Sequence, residues 1–347
     1  MECRKIANTC VKILLPLALG GAILYWMYRG FDFGSIKHAL LHEMDWTWMA
    51  ASFPFGIMAQ MLRGWRWRQT LEPVGERPRT AVSVYSIFLS YATSLVIPRV
   101  GEFTRCGVLK RYDGVSFAKA LGTVVTERVI DSLLVLVVTA VMLLCQIRIF
   151  STFFDRTGTS LESILGGFSA AGYAVTLVCA AAVLCLAHVL LKRLSIYNKV
   201  KATLHGMWQG VMSLRGVRNV PLFLLMTVGI WACYFLHYYL TFFCFDFTAT
   251  LGVNCALVTF VVGSIAVIVP TPNGAGPWHF AVKTMLILYG VAESQALIFV
   301  LIVHAVQTML VIVLGVWAWA ALAFTRRRTA AAAATAQATA QSAAMHN

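Results

Sequence analysis

Charged side chains are scarce in this sequence, and acidic ones scarcest: 12% of residues are Asp, Glu, Lys or Arg, and 14 of 347 are acidic. A soluble globular domain carries about twice that share of charge, so the composition excludes one as the main body of the chain. Metal and disulfide chemistry also lack their usual patterns. The nine cysteines are scattered and no two have CxxC spacing, which leaves neither a zinc site nor a disulfide framework. No GxSxG, P-loop or dinucleotide fingerprint occurs, so hydrolase, nucleotide and Rossmann chemistry have no motif to rest on. His38 and His42-Glu43 do not follow HExxH order, and His237, His279 and His304 fall in separate segments. No metal and no cofactor is expected.

Apolar length is what the chain has instead. It is 59% hydrophobic, with a mean hydropathy of +0.76, and several runs approach the ~20 residues that span a bilayer. The formal net charge of +14 comes from basic residues flanking these runs. That is the positive-inside pattern of a multi-pass membrane protein, and no nucleic-acid partner is expected. The expected location is the cell (inner) membrane. Arg4 and Lys5 precede an apolar run as in a signal peptide, but 11–28 lacks a clear small-residue cleavage site and reads as a crossing.

Hydropathy and punctuation divide the chain as follows. Segment 6–28 crosses and ends in Tyr25, Trp26 and Tyr28, an interfacial aromatic cluster. Segment 32–45 reads as an interfacial helix, and 46–63 as a second crossing. Arg63, Arg66, Arg68, Arg77 and Arg79 then form a basic cytoplasmic loop. Segment 80–112 carries Ser83, Ser86, Ser90 and Ser94 at helical spacing, breaks at Pro98, and returns to Lys110 and Arg111. It is expected to be a re-entrant hairpin, with two complete crossings as the alternative. A long helix covers 116–147, a polar outer loop 148–167, and a crossing 168–191. Segment 195–215 is amphipathic and is expected to lie on an anionic leaflet. Segment 220–239 crosses, 254–289 repeats the broken pattern, and 293–324 is the last crossing.

The expected fold is therefore an all-α polytopic membrane protein. It has about six full transmembrane helices plus two oppositely oriented re-entrant hairpins, inverted-repeat-like, with both termini cytoplasmic. Residues 1–328 form one transmembrane domain, and 329–347 an Ala/Thr/Gln-rich disordered tail.

The two breaks carry the candidate chemistry, because irregular backbone and charge survive at membrane depth only where protein or a wet cavity surrounds them. In Pro98-Arg99-Val100-Gly101-Glu102-Phe103-Thr104-Arg105 the acid lies three positions from each arginine and can pair with either. Two bases against one acid leave a positive site, and guanidinium suits phosphate. The plainer alternative is a structural salt-bridge cluster at a helix start. Glu127, Arg128 and Asp131 form a ladder on the next helix, expected as the wall that balances the hairpin's arginines, or else as a helix end among headgroups. In the second break, Pro270, Pro272, Asn273, Gly274 and Gly276 allow an unwound backbone lining a cavity. His279 and Lys283 follow on one helix face, though the glycines would also permit simple close packing with Lys283 snorkelling outward.

The pattern Pro98-Arg99-x-Gly101-Glu102-x-x-Arg105, then Glu127-Arg128-x-x-Asp131, then the Pro/Gly break at 270–277 resembles a known family. It is similar to the transmembrane region of lysylphosphatidylglycerol synthase/flippase proteins over most of residues 5–325. The resemblance implies a protein that moves a lipid with a charged or glycosylated headgroup between leaflets. Two positions depart from the family pattern. Thr93-Ser94 stand where many relatives have asparagine, and Trp278-His279 where many have glutamate. Without that acid, and with Lys283 present, an anionic lipid is favoured over a lysylated one. Lysyl-transferring relatives carry a large C-terminal synthase domain, and this chain ends in a short tail, so no synthase catalysis is expected. The leading expectation is a lipid translocase whose slot neutralises an anionic or glycosylated headgroup with Arg99, Arg105 and Arg128. The alternatives are a membrane-embedded enzyme using Glu102, Glu127 or Asp131 as acid or base, and an accessory subunit presenting lipid to a separate lipid-modifying synthase.

Overall fold

The computed structural model describes residues 18–145 and 216–326. The start of the opening crossing, the loop 148–167, the crossing 168–191, the amphipathic segment 195–215 and the tail 329–347 lie outside the described residues. Among those described, all regular structure is helical. Helix α1 (Ala18–Tyr28) is tied to the far end of the chain by Tyr28, whose hydroxyl donates to the Leu297 carbonyl at 3.0 Å. The expected interfacial element is α2 (Phe33–His38), running into a π turn over Ala39–Glu43. Aspartates bound it, as N-cap preference demands: Asp32 accepts from the Gly34 amide at 2.9 Å, and Asp45 from the Thr47 amide at 2.8 Å, which starts the next helix.

That next helix corrects the sequence reading. α3 covers Trp46–Leu71 and does not stop at Arg63, because no breaker intervenes before Pro73 and the left-handed Gly75. Its buried stripe includes Gly56, Ala59, Gln60, Arg63, Arg66, Trp67 and Thr70, a spacing of three and four. Arg63 and Arg66 are thus inside the protein. Only Arg68, Arg77 and Arg79 serve the following connection: Arg68 donates to the Pro78 carbonyl, and Arg77 pairs with Glu72 at 3.4 Å.

α4 (Thr80–Val96) and α5 (Val100–Asp113) form the first hairpin. Pro98 lacks an amide donor and forces its predecessor out of helix, and Ile97 is indeed extended at φ −126°. Arg99 takes up the reversal in left-handed backbone at φ 63°. The open ends are clamped by Arg79 Nε to Asp113 Oδ1 at 2.6 Å, and the Arg79 amide to Asp113 Oδ2 at 2.8 Å. Both hairpin ends therefore lie together. At the tip, Gly101 lets the arms touch: a β-carbon there would collide with the Ser90 carbonyl oxygen.

α6 (Phe117–Cys145) is followed, across the undescribed stretch, by α7 (Val220–Tyr239). α8 (Gly252–Ala266) and α9 (Pro277–Leu288) form the second hairpin, and α10 (Glu293–Ala323) ends the described chain. The order helix, hairpin, long helix thus occurs twice. The packing is reciprocal: α3 lies on α7, α6 on α8, and α10 on α4. Each long helix backs the other half's hairpin. One apolar core fills the α3–α6 half around Trp67, Ile87 and Leu109, and another fills the α7–α10 half around Phe242, Leu286 and Phe299.

Two of the described elements are long and apolar enough to cross a membrane by themselves, Val220–Cys244 and Glu293–Ala323. α3 and α6 are longer than the ~30 Å hydrocarbon core, at about 39 Å and 44 Å for 26 and 29 residues. Replacing Gly101 by Ala should overpack the first hairpin and cost about 1–3 kcal/mol. Gly107→Ala, with open space around its β-carbon, should be neutral or mildly stabilising. Thermal melts of the two variants in detergent check the contrast, and equal melting would mean the arms are not in contact.

Candidate functional site

The charged side chains of α3, α5 and α6 meet in one buried network. Glu127 and Asp131 are one turn apart on α6 and point to the same side, as do Arg63 and Arg66 on α3. Arg63 Nη1 reaches Asp131 Oδ2 at 2.8 Å, and Arg66 Nη2 reaches Asp131 Oδ1 at 3.0 Å. Arg66 Nε lies 3.5 Å from Glu127 Oε1, whose second oxygen accepts from Arg105 Nη1 at 2.8 Å. Arg66 also donates to Thr227 Oγ1 on α7 at 3.2 Å. Aromatic faces cover the guanidiniums: Trp67 lies 4.6 Å from Arg105, and Tyr234 lies 5.8 Å from Arg63. Trp67 is itself oriented by its indole N–H, which donates to Thr123 at 2.9 Å.

Arg66 and Glu127 are fully buried, and Arg105 is 1% exposed. Desolvating such charges is costly, and only tight mutual pairing offsets the loss. The pairing is incomplete, because three buried arginines face two carboxylates. Arg63 Nε and Arg105 Nη2 make no hydrogen bond and are sealed from solvent.

A second, looser pair sits at the edge of this network. Arg128 Nε lies 3.3 Å from Glu102 Oε1, and the two side chains are 45% and 33% exposed. Arg128 Nη2 is 3.9 Å from Asp131 Oδ2. The pair heads an open groove of about 380 Å³ along α6. Ser132 continues the polar side, while Val125, Val129, Leu133 and Leu136 line the rest. These residues recur every three or four positions, so the groove is one outward stripe of α6 meeting the start of α5. Its lining is polar along Arg128 and Ser132 and apolar along the adjacent stripe of Val125, Val129, Leu133 and Leu136.

The second hairpin meets the first at its tip. Arg99 Nη2 donates to the Ile268 carbonyl at 3.0 Å, joining the two breaks directly. Pro270 and Pro272 frame the break, and Asn273 and Gly274 are left-handed at φ 52° and 72°. Asn273 is anchored to α10, where its amide donates to Thr308 Oγ1 at 2.7 Å and approaches His304 Nε2 at 3.2 Å. Gly276 permits contact with α1, since a β-carbon there would stand 2.9 Å from the Gly20 carbonyl oxygen. His279 packs edge-on against His304 at 4.5 Å, and Trp278 stacks on His304 at 5.1 Å. Lys283 is mostly buried and pairs with Glu293 at 2.8 Å, tying α9 to the start of α10.

The expected residues therefore separate by environment. Arg105, Glu127 and Asp131 belong to the buried network. Glu102 and Arg128 head the groove, and Arg99 joins the hairpin tips. Glu102 pairs with neither Arg99 nor Arg105: Arg99 stands outside the helix at the cap, and Arg105 turns inward to Glu127. The free cationic pocket expected from two arginines and one acid is thus replaced by a matched pair. Lys283 and His279 lie together on α9 but face different partners. Among the described residues no three His, Cys, Asp or Glu side chains group as a metal site. Arg63 and Arg66 were missed as site residues. Their signal was present, since they continue the small-residue stripe of Gly56 and Ala59 with helical spacing.

Comparison with known proteins adds one match. A family described as the lysylphosphatidylglycerol synthase TM region covers residues 13–315. No curated protein and no solved structure matches the chain.

Asp131→Asn should strand Arg63 and Arg66 and cost roughly 3–5 kcal/mol. Glu102→Gln, at the exposed pair, should cost no more than about 1 kcal/mol. Thermal unfolding of both variants in the same detergent measures the difference, and comparable losses would show that the network is not the structural centre.

Proposed function

The chain belongs to the lysylphosphatidylglycerol synthase transmembrane-region family, and from that premise we propose that it is a lipid translocase, moving a phosphate-bearing lipid between leaflets. Family membership makes it a membrane protein concerned with lipid, and translocation is the reading its geometry supports best. The observation that carries this reading is the α6 groove. A partly exposed guanidinium lines it, with Ser132 one turn on and an aliphatic stripe of Val125, Val129, Leu133 and Leu136 alongside. A headgroup crossing hydrocarbon must exchange water for protein partners, since a charge at the bilayer centre costs at least ~2.5–3.5 kcal/mol. Arg128 and Ser132 offer such partners while the acyl chain stays against Val129, Leu133 and Leu136.

The hairpins supply the path in this reading. Each is re-entrant, its tip near the membrane midplane, and the two enter from opposite faces. The contact of Arg99 with Ile268 then sits where neither leaflet reaches. Reciprocal packing of two similar halves gives them surfaces on which to rock, as alternating access requires. The enzyme reading is the weaker one, because Glu127 is engaged by two arginines, Asp131 by three, and Glu102 is paired with Arg128.

Reconstituted protein should accelerate leaflet exchange of an acyl-labelled phospholipid in vesicles by tenfold or more over protein-free vesicles. Arg128→Gln should remove most of that acceleration. Equal exchange with and without protein would end the translocase reading. A separate test addresses depth: in a cysteine-free background, Ile97→Cys and Thr271→Cys should react with a membrane-impermeant maleimide at least tenfold more slowly than Gly114→Cys. Matching rates would make both breaks surface turns.

A further inference from the structure

The polar side of the groove is more specific than a phosphate site. It presents one base and one acid, and the neighbouring acids are already engaged. Asp131 is held by Arg63 and Arg66, and Glu127 by Arg105 and Arg66. Glu102 therefore has Arg128 as its ion partner, at 3.3 Å and partly exposed, while Arg128 has a further, longer contact of 3.9 Å with Asp131. A headgroup with only negative charge could bind Arg128 by displacing Glu102. That would leave the Glu102 carboxylate without its ion partner and beside a phosphate of the same sign.

We propose that the groove selects a compact zwitterionic phospholipid, whose phosphate and primary amine are joined by a two-carbon bridge. The phosphate takes Arg128 with the Ser132 hydroxyl, and the ammonium takes Glu102. Such a ligand inserts into the ion pair and replaces each half with its counterpart, so charge stays balanced throughout. Hydrogen bonding sets the second criterion. A primary ammonium donates N–H bonds to Glu102, and charge-assisted bonds of this kind are about twice as strong as neutral ones. A quaternary ammonium has no N–H to donate. Ser132 lies one turn beyond Arg128 on α6, so both donors reach one phosphate from the same helix face. The apolar strip of Val129, Leu133 and Leu136 then receives the acyl chain. This assignment deepens the translocase reading and uses the same groove, but concerns recognition and not movement.

The test separates the two. Full-length protein in detergent is titrated by native mass spectrometry with phosphatidylethanolamine, phosphatidylglycerol and phosphatidylcholine of identical acyl chains. Leaflet exchange of the same three lipids, acyl-labelled, is followed in phosphatidylcholine vesicles. Phosphatidylethanolamine should bind at least tenfold more tightly than either of the others. Glu102→Gln should bring it down to the level of phosphatidylcholine, and Arg128→Gln should weaken all three. Thermal melts confirm that each variant is folded. Should that selectivity hold while no lipid exchanges, recognition stands and translocation falls. Phosphatidylglycerol binding as tightly as phosphatidylethanolamine, selectivity surviving Glu102→Gln, or no lipid binding at all would each overturn the proposal.

Discussion

The described structure depends on one interaction, the buried exchange of charge between the arginines of α3 and α5 and the carboxylates of α6. Arg63, Arg66 and Arg105 converge on Glu127 and Asp131 with the aromatic faces of Trp67 and Tyr234 as lids. None of these charges could remain unpaired inside an apolar medium, so each helix fixes the position of the others. Hydrophobic contact alone would not do this, since lipid tails are as apolar as leucine and give helices little reason to choose one another. The network thus supplies register. The apolar cores on either side supply close packing once register is set.

Much of the architecture was legible in the sequence because proline and glycine act locally. Pro98 pushes Ile97 into extended backbone whatever surrounds it, and the Pro270–Gly276 run interrupts a helix wherever it lies. Both hairpins were accordingly placed within a residue or two of their observed ends. Asp32 and Asp45 stand at the limits read for the expected interfacial segment, and each caps the helix that follows it.

What was not legible depends on distance. Arginine after an apolar run reads the same at a cytoplasmic boundary and in a buried network, and only a partner 65 residues away distinguishes them, as between Arg66 and Asp131. Arg63 and Arg66 were therefore assigned to a loop. The same limit applies to Glu102. Spacing on α5 allowed two arginine partners, but the tertiary fold gave it a third, Arg128. The resulting pair is matched where an excess of positive charge was expected.

The placement of opposite charges on separate helices has a consequence for biogenesis. α3 presents its guanidiniums before the acids of α6 have been synthesised. The earlier helix must then be sheltered during synthesis, by the insertion machinery or by the aqueous interface, until its counterpart arrives. Pairing of Arg63 and Arg66 with Glu127 and Asp131 waits on the later helix, and assembly order is written into the positions of a handful of ionic side chains.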